Sequence, residues 1–353
     1  MNFITKVFTS ALIAIFPAFG QFAKCIDSGL VDVDALVDAS AMASSKLKDS
    51  VVWVCNGHSD NNKFYALDTH GKQIAAYYLK SKWQRNWEDM ASGPGPDSDK
   101  SYLYIGDIGD NDTQWVVKTI YRFIEPLAQI RDKDRVDTIS SFDKLDFVYP
   151  DGIHDAEAMM IDPLTKDYYI LSKEKGISRI YRAPYPQPLK EVDTLEYLDS
   201  IPYSMVTAAD ISNSGDEILV KEYFRITYWK RNPGESVIDA LRRSSKTKIP
   251  YIMEKQGEAL CWSRNADAYF TVSEEADSVP CKLYYYVRNT AAAHPDAHSI
   301  LRVYKHQLPQ TFITLPDAHI DNISSQNFSI AGRRMKKQIN AAAVIIKTPL
   351  ELK

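Results

Sequence analysis

The sequence predicts an all-β protein: a β-propeller with five recognisable four-stranded blades and material for a sixth. Three observations point there. Tyrosine is abundant, at 21 residues, and falls in short runs such as Tyr77-Tyr78, Tyr168-Tyr169 and Tyr284-Tyr285-Tyr286; aromatics clustered in short segments favour strands. The links between strand-like segments are short and rich in Asp, Gly, Asn and Pro, as in Asp162-Pro163, Asn213-Ser214-Gly215-Asp216 and Thr69-His70-Gly71-Lys72, which are turn signals between antiparallel strands. One plan of strands recurs at intervals of about 40–70 residues, and radial packing of such meanders is the propeller solution to exposed sheet edges. A β-sandwich is the rival, but it does not place the same carboxylate at the same point of successive units.

In chain order, residues 1–20 read as a secretory signal peptide. Lys6 is the positive region, Val7 to Phe19 the apolar core, and Ala18-Phe19-Gly20 the cleavage site before Gln21. The apolar stretch is shorter than the roughly 20 residues of a spanning helix, and Ser10 and Pro17 interrupt it. The expected organisation is an N-terminal segment at 21–37, a propeller at 38–305 and a C-terminal segment at 306–353, in a secreted, monomeric, extracellular chain. The first unit is degenerate: Val51–Cys55, Lys63–Asp68 and Ile74–Leu79 are its second to fourth strands. The second runs through Asn86–Ala91, Ser101–Asp107 and Thr119–Phe123, and the third through Asp155–Met160, Asp167–Glu174 and Arg179–Ala183. The fourth has Thr207–Ile211, Glu217–Glu222 and Ile226–Lys230; the fifth has Gly257–Trp262, Ala268–Glu274 and Lys282–Tyr286. Gln310–Leu315 is a candidate ring-closing strand, followed by a tail with the basic run Arg333-Arg334-Met335-Lys336-Lys337.

Lys plus Arg is 42 against 46 for Asp plus Glu, a formal charge of −4. No general basic field exists, which argues against nucleic acid as a partner. Cys25, Cys55, Cys261 and Cys281 make an even count without a CxxC, which suits disulfides in an oxidising compartment better than a zinc ribbon. Asn111, Asn322 and Asn327 begin N-x-S/T triplets, acceptors for glycans in a secretory pathway.

The first strand of each blade lines a propeller channel. Glu88, Glu157 and Glu258 occupy equivalent places in three units; the fourth has Ala208 there, with Asp210 two residues on and thus on the same strand face. A second acidic set, Asp107, Glu174, Glu222 and Glu274, ends the second strands. Carboxylates crowded about one axis repel and lose hydration. They are relieved by raised pKa values or by a divalent cation, and oxygen ligands in number suit Ca²⁺. The competing reading is that these acids hydrogen-bond to backbone and tie blades together. His154 beside Asp155 and near Glu157 is a candidate general base if the chain is a hydrolase, against a structural hydrogen-bonding role. No G-x-S-x-G, H-E-x-x-H or P-loop is present.

An ordered set of motifs, Trp87-Glu88-Asp89-Met90-Ala91, Gly93-Pro94-Gly95-Pro96-Asp97, Tyr102 to Asn111 (YLYIGDIGDN), His154-Asp155-Ala156-Glu157-Ala158, Val206 to Ser212 and Gln256-Gly257-Glu258-Ala259, resembles a family of secreted β-propellers loosely similar to phytase-like esterase and lactonase propellers. The resemblance covers residues 38–290. It implies the propeller fold and, by likeness to calcium-dependent lactonases, Glu88, Glu157, Asp210 and Glu258 as metal ligands; Asp107 joins them from its place at a strand end. Cys55-Asn56-Gly57-His58-Ser59-Asp60 departs from the family's His-Asn-Asp-Ser-Gly turn, and residues 306–353 do not match it. Two functions follow as expectations: a calcium-binding extracellular binding or matrix protein whose partner is a small molecule or another extracellular protein, or a metal-dependent hydrolase of ester, lactone or phosphate-ester bonds with Glu157 or His154 as base.

Overall fold

The computed structural model describes residues 22–289 apart from 24, 26, 59–61, 82–83, 130–134, 245 and 278, together with 329–330 and 333–334. The predicted signal peptide, the strand expected at 310–315 and the triplets at Asn322 and Asn327 lie outside the described residues.

Among the described residues, β1 (Asp27–Leu30) comes first, followed by β2 (Ala39–Ser44), β3 (Val51–Asn56), β4 (Lys63–Asp68) and β5 (Gln73–Leu79). Next come β6 (Trp87–Pro94), β7 (Ser101–Asp107), β8 (Lys118–Ile124), β9 (Val136–Ile139) and β10 (Asp143–Val148). Then follow β11 (Ala156–Ile161), β12 (Tyr168–Ser172), β13 (Ser178–Ala183), β14 (Asp193–Thr194) and β15 (Glu196–Ile201). The chain goes on through β16 (Val206–Ile211), β17 (Glu217–Glu222), β18 (Arg225–Lys230), the short helix α1 (Val237–Arg242) and β19 (Thr247–Ile249). The last three are β20 (Gly257–Trp262), β21 (Ala268–Ser273) and β22 (Lys282–Val287). A two-strand hairpin, β23 (Ser329–Ile330) with β24 (Arg333–Arg334), belongs to a separate unit at residues 298–353.

Five blades result, ordered from the inside outward as β2-β3-β4-β5-β9, β6-β7-β8-β10-β14, β11-β12-β13-β15, β16-β17-β18-β19 and β20-β21-β22-β1. The first and second blades each gain a fifth strand in parallel pairing. β9 leaves the second blade's run of chain to join β5, and β14 leaves the third's to join β10. The fifth blade draws its outermost strand from the N-terminal end of the propeller: β1 pairs antiparallel with β22, Asp27 opposite Tyr285 and Leu30 opposite Lys282. This N-terminal strand supplies the ring closure within the described residues. Phe22 locks it, 2% exposed against the rings of Tyr228, Trp262 and Tyr269.

Each gap between adjacent blades holds its own apolar cluster. Trp53, Phe64, Trp87 and Phe123 fill the first gap, Tyr104, Phe147 and Tyr168 the second, and Tyr169, Val220 and Trp229 the third. Tyr228, Leu260 and Trp262 fill the fourth, and Val54, Leu67, Phe270 and Val272 return the ring to the first blade. Strands buried on both faces explain the near-continuous apolar runs of β3 and β21. The expected disulfides do not form. Cys55 packs in the gap between the first and second blades, Cys25 against the fourth-gap cluster, and Cys261 and Cys281 in the gap between the fifth and first. The Cys281 thiol donates instead to the Leu36 carbonyl at 3.0 Å.

Candidate metal centre at the channel mouth

All five innermost strands share one irregularity. Pairing of each with the second strand of its blade skips a residue near the start: Ser40, Glu88, Glu157, Thr207 and Glu258. A β-bulge leaves its extra residue outside the ladder and re-aims its side chain. Five equivalent bulges therefore build a ring of five positions, three of them glutamates. Their carboxylates converge: one oxygen from each of Glu88, Glu157 and Glu258 lies within 4.8 Å of the others, and all three residues are buried. The fourth blade contributes Thr207, not Ala208. Thr207 is the residue its bulge skips, as in the other blades, so Asp210 sits three residues beyond the ring position.

A second ring lies on the residue following each second strand: Gly57, Ile108, Lys173, Tyr223 and Glu274. In three blades the same backbone bond pins it, from Gly57, Lys173 and Glu274 to the carbonyls of Asp38, Asp155 and Gln256. This ring supplies polar partners to Glu157 and Glu258. Lys173 forms an ion pair with Glu157 and lies 5.3 Å from the centre of the Tyr223 ring. The Tyr223 hydroxyl donates to Glu258 Oε1 at 2.8 Å. Glu274 bonds to Glu258 and to Asp38, which in turn pairs with His58 at 3.4 Å. The Glu157 Oε2 atom is buried without a hydrogen-bond partner among the described residues.

The electrostatics follow from this crowding. Burial, then the charges of Glu157 and Glu258, push the Glu88 carboxyl well above the usual range. Burial, then Glu258, does the same to Glu157 against the pull of Lys173. Burial together with Glu258 and Asp38 lifts Glu274 to about 9. Burial works against the charge of Lys173, but Glu157 and Glu258 outweigh it and raise its pKa. The site holds an excess of carboxyl groups over two ammonium groups, those of Lys173 and of buried Lys221, which donates to the Gly257 carbonyl and to Thr207 Oγ1.

The loop after β7 packs directly on Glu88. A Cβ on Gly109 would run into the side chains of Glu88 and Asn86, so only glycine allows this close approach. Beside it opens a cavity of about 260 Å³, lined in part by His58, Asn86, Asp112, Gln114 and Trp115.

The other sequence-derived candidates stand elsewhere. Asp107 ties down the segment leading into β6: it accepts from the backbone of Asn86 at 2.8 Å and pairs with Arg85 at 3.2 Å. Glu222 serves the fourth blade in the same way, accepting from Ser204 N at 2.8 Å. Asp210 accepts from Trp262 N at 2.8 Å and so joins the fourth blade to the fifth, while burial pushes its pKa up to about 6. His154 sits 3.1 Å from Asp151 and 3.8 Å from Glu174, beside the rings of Tyr149 and Tyr181. Lys173, Tyr223 and the bulges escaped the sequence reading. Lys173 and Tyr223 directly follow Ser172 and Glu222, but the second-ring residues differ in type from blade to blade, so no shared residue marks them.

No protein-family model and no curated protein matches the chain. Among solved structures it is similar to the Dos1 propeller, at 12% identity and a TM-score of 0.33, over 70% of this chain and 68% of that one. The blade count and the site are read from this chain's own strands.

Proposed function

We propose that the chain is a secreted β-propeller that binds one divalent cation, Ca²⁺ by ligand type, through Glu88, Glu157 and Glu258, and acts as an extracellular binding or matrix protein. The observation that carries this reading is the meeting of three buried glutamates from three blades, one of whose oxygens lacks a partner among the described residues. Hard carboxylate oxygens suit Ca²⁺, and Mg²⁺ less well because it demands tighter octahedral geometry. The signal-like N-terminus supports export. A hydrolase with a cation-activated water is the second reading, favoured by the cavity beside Glu88. The test is calorimetry of Ca²⁺ with the folded chain and with Glu258→Gln. Stoichiometric binding weakened by the substitution upholds the site, and a folded wild-type chain that binds neither Ca²⁺ nor Mg²⁺ overturns it. Turnover of p-nitrophenyl esters, lactones or phosphate esters that disappears in Glu88→Gln would decide for the hydrolase.

A further inference from the structure

We infer that the cavity beside Glu88 binds a carbohydrate, with Trp115 as the platform for one sugar ring. The inference is independent of the cation, since it rests on residues outside the glutamate ring. At about 260 Å³ the cavity is smaller than the roughly 300–1,000 Å³ of drug-sized sites, with room for one saccharide unit. Its walls combine one aromatic surface with planar polar side chains, those of Asn86, Asp112 and Gln114, and the ring of His58. That combination matches a pyranose, whose C–H face lies on an aromatic ring while its hydroxyls both donate and accept hydrogen bonds. The lining lacks the apolar depth that a lipid or an aliphatic ligand needs.

Trp115 is 47% exposed, yet held firmly. The buried Asp110 carboxylate accepts from the backbone of Gln114 and of Trp115, each at 2.8 Å, and pairs with buried Lys118 at 2.6 Å. Asp110 N donates to Asp155 at 2.6 Å, which anchors the loop to the third blade. The Arg85 guanidinium lies 5.4 Å from the indole centre and is itself fixed by Asp107 and by the Val117 carbonyl. An exposed indole braced from below is a preorganised contact surface. Asn86 lines the same cavity at 5% exposure, with its amide nitrogen on the side of Gly109, a fixed polar group at the cavity wall.

The experiment uses the full chain produced in bacteria, so that Asn111, on the edge of the same cavity, carries no glycan. It is applied to an array of immobilised oligosaccharides, and the captured glycans are then titrated in solution by tryptophan fluorescence. The expected result is capture of a defined subset, with Trp115→Ala weakening it by about tenfold, the scale of one lost aromatic contact, and Trp115→Phe retaining most of it. If Trp115→Ala does not fold, Gln114→Ala takes its place and weakens capture in the same way. A folded wild-type chain that captures no glycan overturns the inference. So does capture that Trp115→Ala, or Gln114→Ala in its place, leaves unchanged.

Discussion

Cation binding at the glutamate ring should release protons, and the number released can be worked out from the site. Without a cation, burial and mutual repulsion hold the Glu88 and Glu157 carboxyls well above their ordinary range. With Ca²⁺ in place both must ionise. Binding therefore displaces up to two protons, and on the acid side of the raised pKa values affinity changes by about tenfold per pH unit for each. Calorimetry at one pH in two buffers of different ionisation enthalpy gives the proton count directly, and repetition at pH 6, 7 and 8 gives the slope. The same shifts set stability in the absence of metal. An acid whose folded-state pKa is raised stabilises the fold fully below its unfolded value, and that contribution is lost as pH rises through the folded value. For Glu274 the window runs from 4.5 to about 9. The metal-free chain should therefore melt at progressively lower temperature as pH rises from 5 to 9, and Ca²⁺ should restore more at pH 8 than at pH 6. Tight binding with no proton release, and a metal-free melting temperature flat across this range, would refute the reasoning.

Other outcomes follow from neighbouring groups. Lys173→Met removes the ammonium that competes for Glu157; calorimetry should show Ca²⁺ binding at least tenfold tighter, since a nearby like charge opposes the cation. Phe22→Ala should cost about 3–5 kcal/mol in urea unfolding, because the ring is buried among three aromatics and covered by Arg288 at 4.7 Å. Asp110→Ala strands a lysine whose side chain is 1% exposed; unfolding should show a loss of about 3–5 kcal/mol, and the fluorescence of Trp115 should become more accessible to iodide quenching.

The propeller was legible because each blade repeats a meander of buried aromatic strands whose turns are written in Asp, Gly and Asn. Glu88, Glu157 and Glu258 were legible because they recur at one point of that repeat. Thr207 was not. Its bulge is the same as in the other blades, but threonine carries no carboxylate to mark the repeat between Val206 and Ala208. Reading Ala208 as the equivalent position made Asp210 look like a neighbour of the axis, although its carboxylate is spent on Trp262 N. Lys173 sits where Gly57 and Glu274 sit in other blades, so no shared residue type marks it. The closing strand lay in a segment without a blade pattern, since β1 is only four residues long and finds its partner across the whole ring. The cysteines looked like disulfide formers by number alone; in the fold, Cys55 and Cys261 fill apolar gaps between blades.

Closure by β1 sets a timetable for synthesis. Asp27 pairs with Tyr285, so the first strand made must wait for nearly the last. At about 5–20 residues per second, the wait across the 257 intervening positions is roughly 13–50 s. Through that interval four blades can assemble in sequence, each against its predecessor, while β1 has no sheet to join and the far side of the first blade has no neighbour. A ribosome that stalls before β22 leaves an open arc with two unprotected flanks, the kind of edge that recruits foreign strands. Closure of the propeller is thus decided only once β22 has been made, and a folding helper that guards it would have to hold β1 until β22 arrives.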